Sequence, residues 1–147
     1  MTETDIAEVG ALWTEYWESL GLPLEFQDFG AQLKRLPGEF AAPFGLLLLA
    51  SNGSAAAGTI ALLPLSAEFC EIKRLYVPPQ FRGAGLGKRL ISTMIENARA
   101  MGYKVMFADT LLTMQTAAHL YETFGFQRVD AYSPHPTPEA IYFRLAL

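Results

Sequence analysis

A single cysteine, only two histidines and a deficit of basic side chains set the first limits on this chain of 147 residues. Cys70 has no partner for an internal disulfide, so the fold must rest on its own apolar core. The lone thiol suits a reducing compartment, as a small buried hydrophobe. No Cys/His cluster has metal-ligand spacing, and no metal is expected. Lys and Arg number 11 against 15 Asp and Glu, a formal net charge of −4. That balance argues against a nucleic-acid-binding protein, which needs a basic surface. Long apolar runs are missing as well: residues 44–50, 55–57 and 60–63 are the longest, far short of the ~20 needed to span a bilayer. The first residues carry no basic-then-apolar leader. The expectation is a soluble cytoplasmic protein that engages neither membrane nor nucleic acid.

What is present is an ordinary globular composition, 51% hydrophobic and 18% charged. No repeat, linker or low-complexity tract interrupts it, so residues 1–147 are read as one domain. The scarce basic residues are concentrated, with Lys73, Arg74, Arg82, Lys88 and Arg89 close together. An acidic protein with a basic pocket suits a small polyanion.

That pocket falls in the stretch 71–102, around which the chain is organised. A β-branched, apolar run (Ile72, Leu75, Tyr76, Val77) stops at Pro78 and Pro79, passes through Arg82-Gly83-Ala84-Gly85-Leu86-Gly87, and becomes helical. Leu86, Leu90, Ile91, Met94, Ile95 and Ala98 then recur three and four apart, one face of a helix that Gly102 ends. A strand delivered through glycines onto a helix N-terminus suits an anion, because the first N–H groups lack intrahelical partners and the helix dipole is positive there. The letters exclude two familiar phosphate loops. A P-loop needs glycine and Ser or Thr where Arg82 and Arg89 stand, and a dinucleotide fingerprint starting at Gly83 needs its third glycine where Lys88 stands.

Arg82-x-x-Gly85-x-Gly87 does fit one pattern, and here the chain resembles the GNAT superfamily of N-acetyltransferases. A second landmark, residues 117–126 with Leu120-Tyr121 before Gly125-Phe126, resembles the family's later signature helix. The resemblance implies an α/β (α+β) fold: a mixed, mostly antiparallel sheet flanked by helices, with one parallel strand pair that splays to form the acyl-CoA cleft. It implies acetyl-CoA as acyl donor, an amine as acceptor, and pyrophosphate contacts from Arg82, Gly83, Ala84, Gly85, Leu86, Gly87 and Lys88. Leu75, Tyr76 and Val77 of the preceding strand would meet the donor, with a backbone N–H of Leu75 or Val77 polarising the thioester carbonyl. Asp109 to Leu111 would line the pantetheine arm. Many members carry Asn where this chain has Met114, which leaves that cofactor contact to Asp109 or Thr110, or to no residue.

The remaining elements follow from pattern. Residues 2–20 read as an amphipathic helix with Thr2, Thr4 and Asp5 as possible caps and Gly21 as its stop. A short helix fits 28–36, and Glu25, Phe26 and Gln27 precede it near the expected acceptor entrance. Residues 44–50 read as a strand buried on both faces. Turn chemistry at 51–54 leads to strand 55–63, and strand 68–77 completes an antiparallel meander. Strand 103–108 follows a full helix and should lie parallel to 68–77. A helix at 114–124 and strands at 126–129 and 140–147 follow. Between those strands runs a stiff loop with Pro134, Pro136 and Pro138, placed to fold over the site and carrying His135. An uncovered sheet edge, or strand 140–147, offers a surface for a homodimer.

For the chemistry, a departing thiolate needs a proton. A tyrosine with pKa near ~10 keeps one at neutral pH. Tyr121 occupies the position of the general acid in many family members. Glu71 stands where several members keep a catalytic base, and strand alternation puts Glu71, Lys73, Leu75 and Val77 on one face, opposite Ile72, Arg74 and Tyr76. A structural Glu71–Lys73 ion pair is the competing reading. His119 is expected to be exposed. The alternative to an enzyme is a non-catalytic acyl-CoA-binding or sensing module, which would need neither Tyr121 nor Glu71.

Overall fold

The computed structural model describes residues 1–132 and 139–147, so His135 and the three loop prolines lie outside the described residues. Helix α1 (Glu3–Leu20) starts at a capping box. The Asp5 amide donates to the Thr2 hydroxyl at 3.1 Å, and the Thr2 amide donates to the Asp5 carboxylate at 2.9 Å. It ends at Gly21 in the left-handed region. Its stripe of Val9, Leu12, Trp13 and Trp17 is buried. A 3-10 turn at Phe26–Asp28 leads into α2 (Phe29–Arg35), whose Phe29 stacks flat on Trp17 at 4.2 Å between ring centroids.

The meander follows as β1 (Leu46–Asn52), β2 (Ala55–Pro64) and β3 (Phe69–Tyr76). Then come α3 (Leu86–Ala100), β4 (Val105–Leu111), α4 (Gln115–Thr123), β5 (Gln127–Val129) and β6 (Ala140–Ala146). The six strands form one sheet in the order β1-β2-β3-β4-β6-β5. All neighbours are antiparallel except β3 and β4. One face packs on α3 and α4 through Ile72, Ile91, Met94 and Phe143, and the other on α1 and α2 through Trp13, Trp17, Phe29 and Ala61. Burying each such large side chain stabilises the fold by about 1.5–3 kcal/mol.

The run 44–50 behaves differently from a strand buried on both faces. Its strand begins only at Leu46 and forms the sheet edge, so Phe44 is 68% exposed and only Gly45 and Leu47 of the run are buried. Leu46 and Leu48 still reach one core and Leu49 the other. The run is apolar because both faces are covered, and half-exposed because its outer flank is not.

Two irregularities create the site. Parallel pairing of β3 with β4 runs from Phe69–Val105 to Ile72–Ala108 and stops. Beyond it β3 stays on β2 as far as Tyr76 and β4 stays on β6 as far as Leu111, so the two strands part. At the same point β3 carries one extra residue: Tyr76 faces Thr59 while Lys73 faces Ala61, and Arg74 has φ 58°. This bulge overturns the alternation expected for the strand, because one inserted residue moves everything after it to the opposite face. Glu71 and Lys73 stay together. Leu75 and Val77 turn to the α3 core, and Arg74 and Tyr76 turn toward α1.

Candidate active site

The loop between β3 and α3 leaves the helix N-terminus open. Gly85 is the cap residue at φ 78°, Gly83 has φ 90°, and no side chain caps the first turn. A Cβ at either glycine would meet nothing within 4 Å. Conformation, not crowding, demands glycine there. Arg82 is held beside the loop, its Nε donating to the Val77 carbonyl at 2.8 Å and its guanidinium 6.0 Å from the Tyr76 ring centre. Gly87 lets α3 approach α4, since a methyl there would stand 3.2 Å from Leu120.

A cleft of about 520 Å³ runs from this loop toward the parting strands, within the range of cofactor sites. Leu75, Tyr76, Val77, Arg82, Gly83, Gly85, Leu86, Gly87 and Lys88 line it, joined by Tyr16, Met114 and Leu120. Ala84 does not line it. Asp109 and Thr110 border a second, smaller chamber of about 40 Å³. The two spaces share Tyr16, Leu20 and Met114.

The small chamber is polar. Gln27, Lys73, Arg74, Asp109 and Thr110 line it. Lys73 Nζ lies 3.3 Å from Glu71 and 3.9 Å from Asp109. The other Glu71 oxygen accepts from the Tyr132 hydroxyl, and Glu71 itself is 5% exposed and lines neither space. The Arg74 guanidinium lies 4.6 Å over the Trp17 ring and donates to Gln27 at 3.1 Å and Gln32 at 2.8 Å. Burial lowers its pKa, because a desolvated cation is disfavoured. Gln27 reaches on to Asp109, Nε2 to Oδ2, at 3.4 Å.

Of two tyrosines, Tyr16 lines both spaces and Tyr121 lies behind them. Tyr16 stands where both spaces meet, its hydroxyl 3.7 Å from the Met114 sulfur and its pKa pushed up to about 12, chiefly by burial. Tyr121 lies in the core, 3% exposed, its ring against Phe126 and Phe143. It lines neither space, but after burial the groups that raise its pKa are Tyr16 and Asp109, which line the chamber, and Glu71. His119 is exposed on α4. Among the described residues no cluster of His, Cys, Asp or Glu could hold a metal ion, and no helix is long and apolar enough to cross a membrane. Sequence reasoning missed Tyr16, which there is one more apolar member of a stripe, and Tyr132.

A strand pair opening beside a glycine-capped helix is the architecture of an acyl-CoA-dependent transferase. The model of the acetyltransferase (GNAT) family matches residues 7–126, and the chain belongs to that family. It is 34% identical over 145 residues to an uncharacterized N-acetyltransferase of Schizosaccharomyces pombe, covering 97% of this chain and 89% of that protein. An acetyltransferase structure from Streptococcus agalactiae superposes with a TM-score of 0.82 at 19% identity, over 100% of this chain and 94% of that one. A GNAT family acetyltransferase from Elizabethkingia anophelis, solved with acetyl-CoA bound, gives 0.66 at 22% identity, over 86% and 93%. These two likenesses establish the fold.

Proposed function

We propose that residues 1–147 form one cytoplasmic N-acyltransferase domain, which moves an acetyl or other short acyl group from acyl-CoA directly to a primary amine. The observation that carries this reading is the meeting of two unlike spaces at Tyr16 and Met114. The long cleft has an anion-binding end, and the small chamber has a carboxylate, Asp109, for an amine. The pyrophosphate takes the first N–H groups of α3 with Arg82 and Lys88. The pantetheine amides pair with the edges that β3 and β4 expose where they part. A backbone N–H of Leu75 or Val77 polarises the thioester carbonyl.

The amine nitrogen attacks that carbonyl, the C–N bond forms, and the C–S bond breaks. The proton leaving nitrogen goes to Asp109, the carboxylate that lines the chamber. Glu71, held by Lys73 and Tyr132, acts as a positioning residue that keeps Lys73 in place beside Asp109. Tyr121 supplies the proton or hydrogen bond to the departing thiolate. Burial keeps its phenol protonated.

The test is free-thiol release from acetyl-CoA with pools of small amines and peptides, run on the wild type, Tyr121→Phe and Tyr16→Phe, with CoA binding measured calorimetrically in each. Turnover should fall about 100-fold in Tyr121→Phe with CoA affinity intact. Unchanged turnover there removes Tyr121 from the mechanism, and a fall confined to Tyr16→Phe assigns the proton to Tyr16. Tight CoA binding with no release from any pool would favour a sensing module.

A further inference from the structure

The small chamber holds a cation on which Asp109, Glu71 and Glu39 act only at a distance. Arg74 is 6% exposed, and among the described residues no carboxylate pairs with it; its hydrogen-bond partners, Gln27 and Gln32, are neutral amides. Its Nε and the hydroxyl of Thr110, both on residues that line the same chamber, are buried with no hydrogen-bond partner among the described residues. Residues 133–138, outside the described set, include no Asp or Glu. A guanidinium sunk among Trp13, Trp17 and Phe29 is costly unless something negative joins it.

Backbone strain gathers at the same place. Among the described residues, four that are not glycine have positive φ: Gln27, Asp28, Arg74 and Glu139. Gln27 and Arg74 are bonded to each other, and Glu139 adjoins Ala140 of the chamber wall. Such conformations persist where the surroundings over-determine them, and they cluster at ligand sites. The Gln27 carboxamide also shows what the place accepts. Its oxygen takes a hydrogen bond from Arg74 and its nitrogen points a donor at Asp109. A carboxylate with a neighbouring ammonium presents the same pair, acceptor to cation and donor to anion, with full charges in place of partial ones. About 40 Å³ holds roughly three water-sized groups at ~10–15 Å³ each, room for a carboxylate and little more.

We propose that the acceptor is a small amino acid or similar amino carboxylate, its carboxylate held by Arg74 with Thr110 and its amine facing Asp109. This rests on the acyl-transfer reading above and names the substrate class within it. A peptide lysine or a simple alkylamine would leave Arg74 without its counterion, and a site built around a polar partner discriminates strongly against analogues lacking it.

The experiment is thiol release from acetyl-CoA with a panel of free amino acids, each beside its carboxamide and its decarboxylated amine. In the wild type, kcat/KM for the best amino acid should exceed that of both analogues by about 100-fold, as expected for a lost charged hydrogen bond in a buried site. Arg74→Gln should cut the amino-acid rate by a similar factor through KM and leave the analogues nearly unchanged, bringing the ratio close to one. Thr110→Val, a near-isosteric change, should lower the same ratio without touching the guanidinium. If the arginine variant does not fold, the wild-type ratios decide alone. Turnover of an analogue equal to or faster than its parent, or turnover of amines outside the panel with none of the amino acids used, overturns the carboxylate assignment alone. Failure of the wild type to bind CoA in the calorimeter sinks the acyl-transfer reading itself, and this inference with it.

Discussion

Gly85 and Gly102 stand at the two ends of α3, with φ 78° and 95°, and a Cβ at either would meet nothing within 4 Å. Alanine at either position therefore carries the same cost, the left-handed backbone, about 1–2 kcal/mol. At roughly 2–4 °C per kcal/mol for a chain of this size, both variants should melt about 2–8 °C below the wild type without ligand. The difference between them appears when CoA is added. At 100 times its Kd a ligand stabilises by about 2.7 kcal/mol, so CoA should raise the wild-type and Gly102→Ala midpoints by roughly 5–10 °C. At Gly85 the open space is the seat proposed for the pyrophosphate, and a methyl group placed there should abolish most of that rise. The assay is a thermal scan of three proteins with and without CoA. Equal CoA-dependent shifts in the two variants would refute the loop as the phosphate seat, because strain alone is common to both.

Removing Lys73 tests the buried charge cluster. Side-chain exposures of 13% for Lys73, 7% for Glu71 and 17% for Asp109 place it where loss of one partner costs about 3 kcal/mol. Lys73→Met should lose that much in urea unfolding, and Lys73→Met/Glu71→Gln should recover about half; a double variant weaker than the single one would show that charge balance is not what Lys73 supplies. Cys70 tests burial. Its folded pKa is pushed from 9.0 up to about 12, chiefly by burial. A raised folded pKa gives stability that is complete below pH 9 and lost as pH climbs toward 12. Between pH 8 and 10.5 the wild-type urea midpoint should therefore fall further than that of Cys70→Ala, and parallel falls in the two would overturn the assignment.

Elements whose signals are local were legible in the sequence. The capping residue Thr2 and the stop Gly21 bracket α1 within a residue of the expected span. The spacing from Leu90 to Ala98 places the buried face of α3, and Gly102 adopts the left-handed conformation expected past a helix end. The parallel β3–β4 pair follows from the helix between them, since a crossover of that length returns a strand parallel. Strand 44–50 was half legible. Period and composition identify a strand, but not that it lies at an edge, because strand order depends on contacts between distant segments.

The bulge at Arg74 had no such signal. Ile72 to Val77 alternates acceptably in either phase, and only pairing with Thr59 and Ala61 on β2 reveals the extra residue. Its effect is large: without it Arg74 would face the α3 core and the small chamber would lack its cation. The two halves of the site therefore differ in kind. The proposed donor half lies mostly in one contiguous stretch, because loop backbone and a helix end would recognise a constant ligand. The proposed acceptor half is assembled from the α1–α2 connection, a bulged strand and the far end of β4, each placing one or two side chains. Met114 joins them. At the position where the family resemblance implies Asn, this chain sets a sulfur 3.7 Å from the Tyr16 hydroxyl, tying the start of α4 to α1 at the mouth between cleft and chamber. The departure from the pattern that the resemblance implies thus lies where cleft and chamber meet.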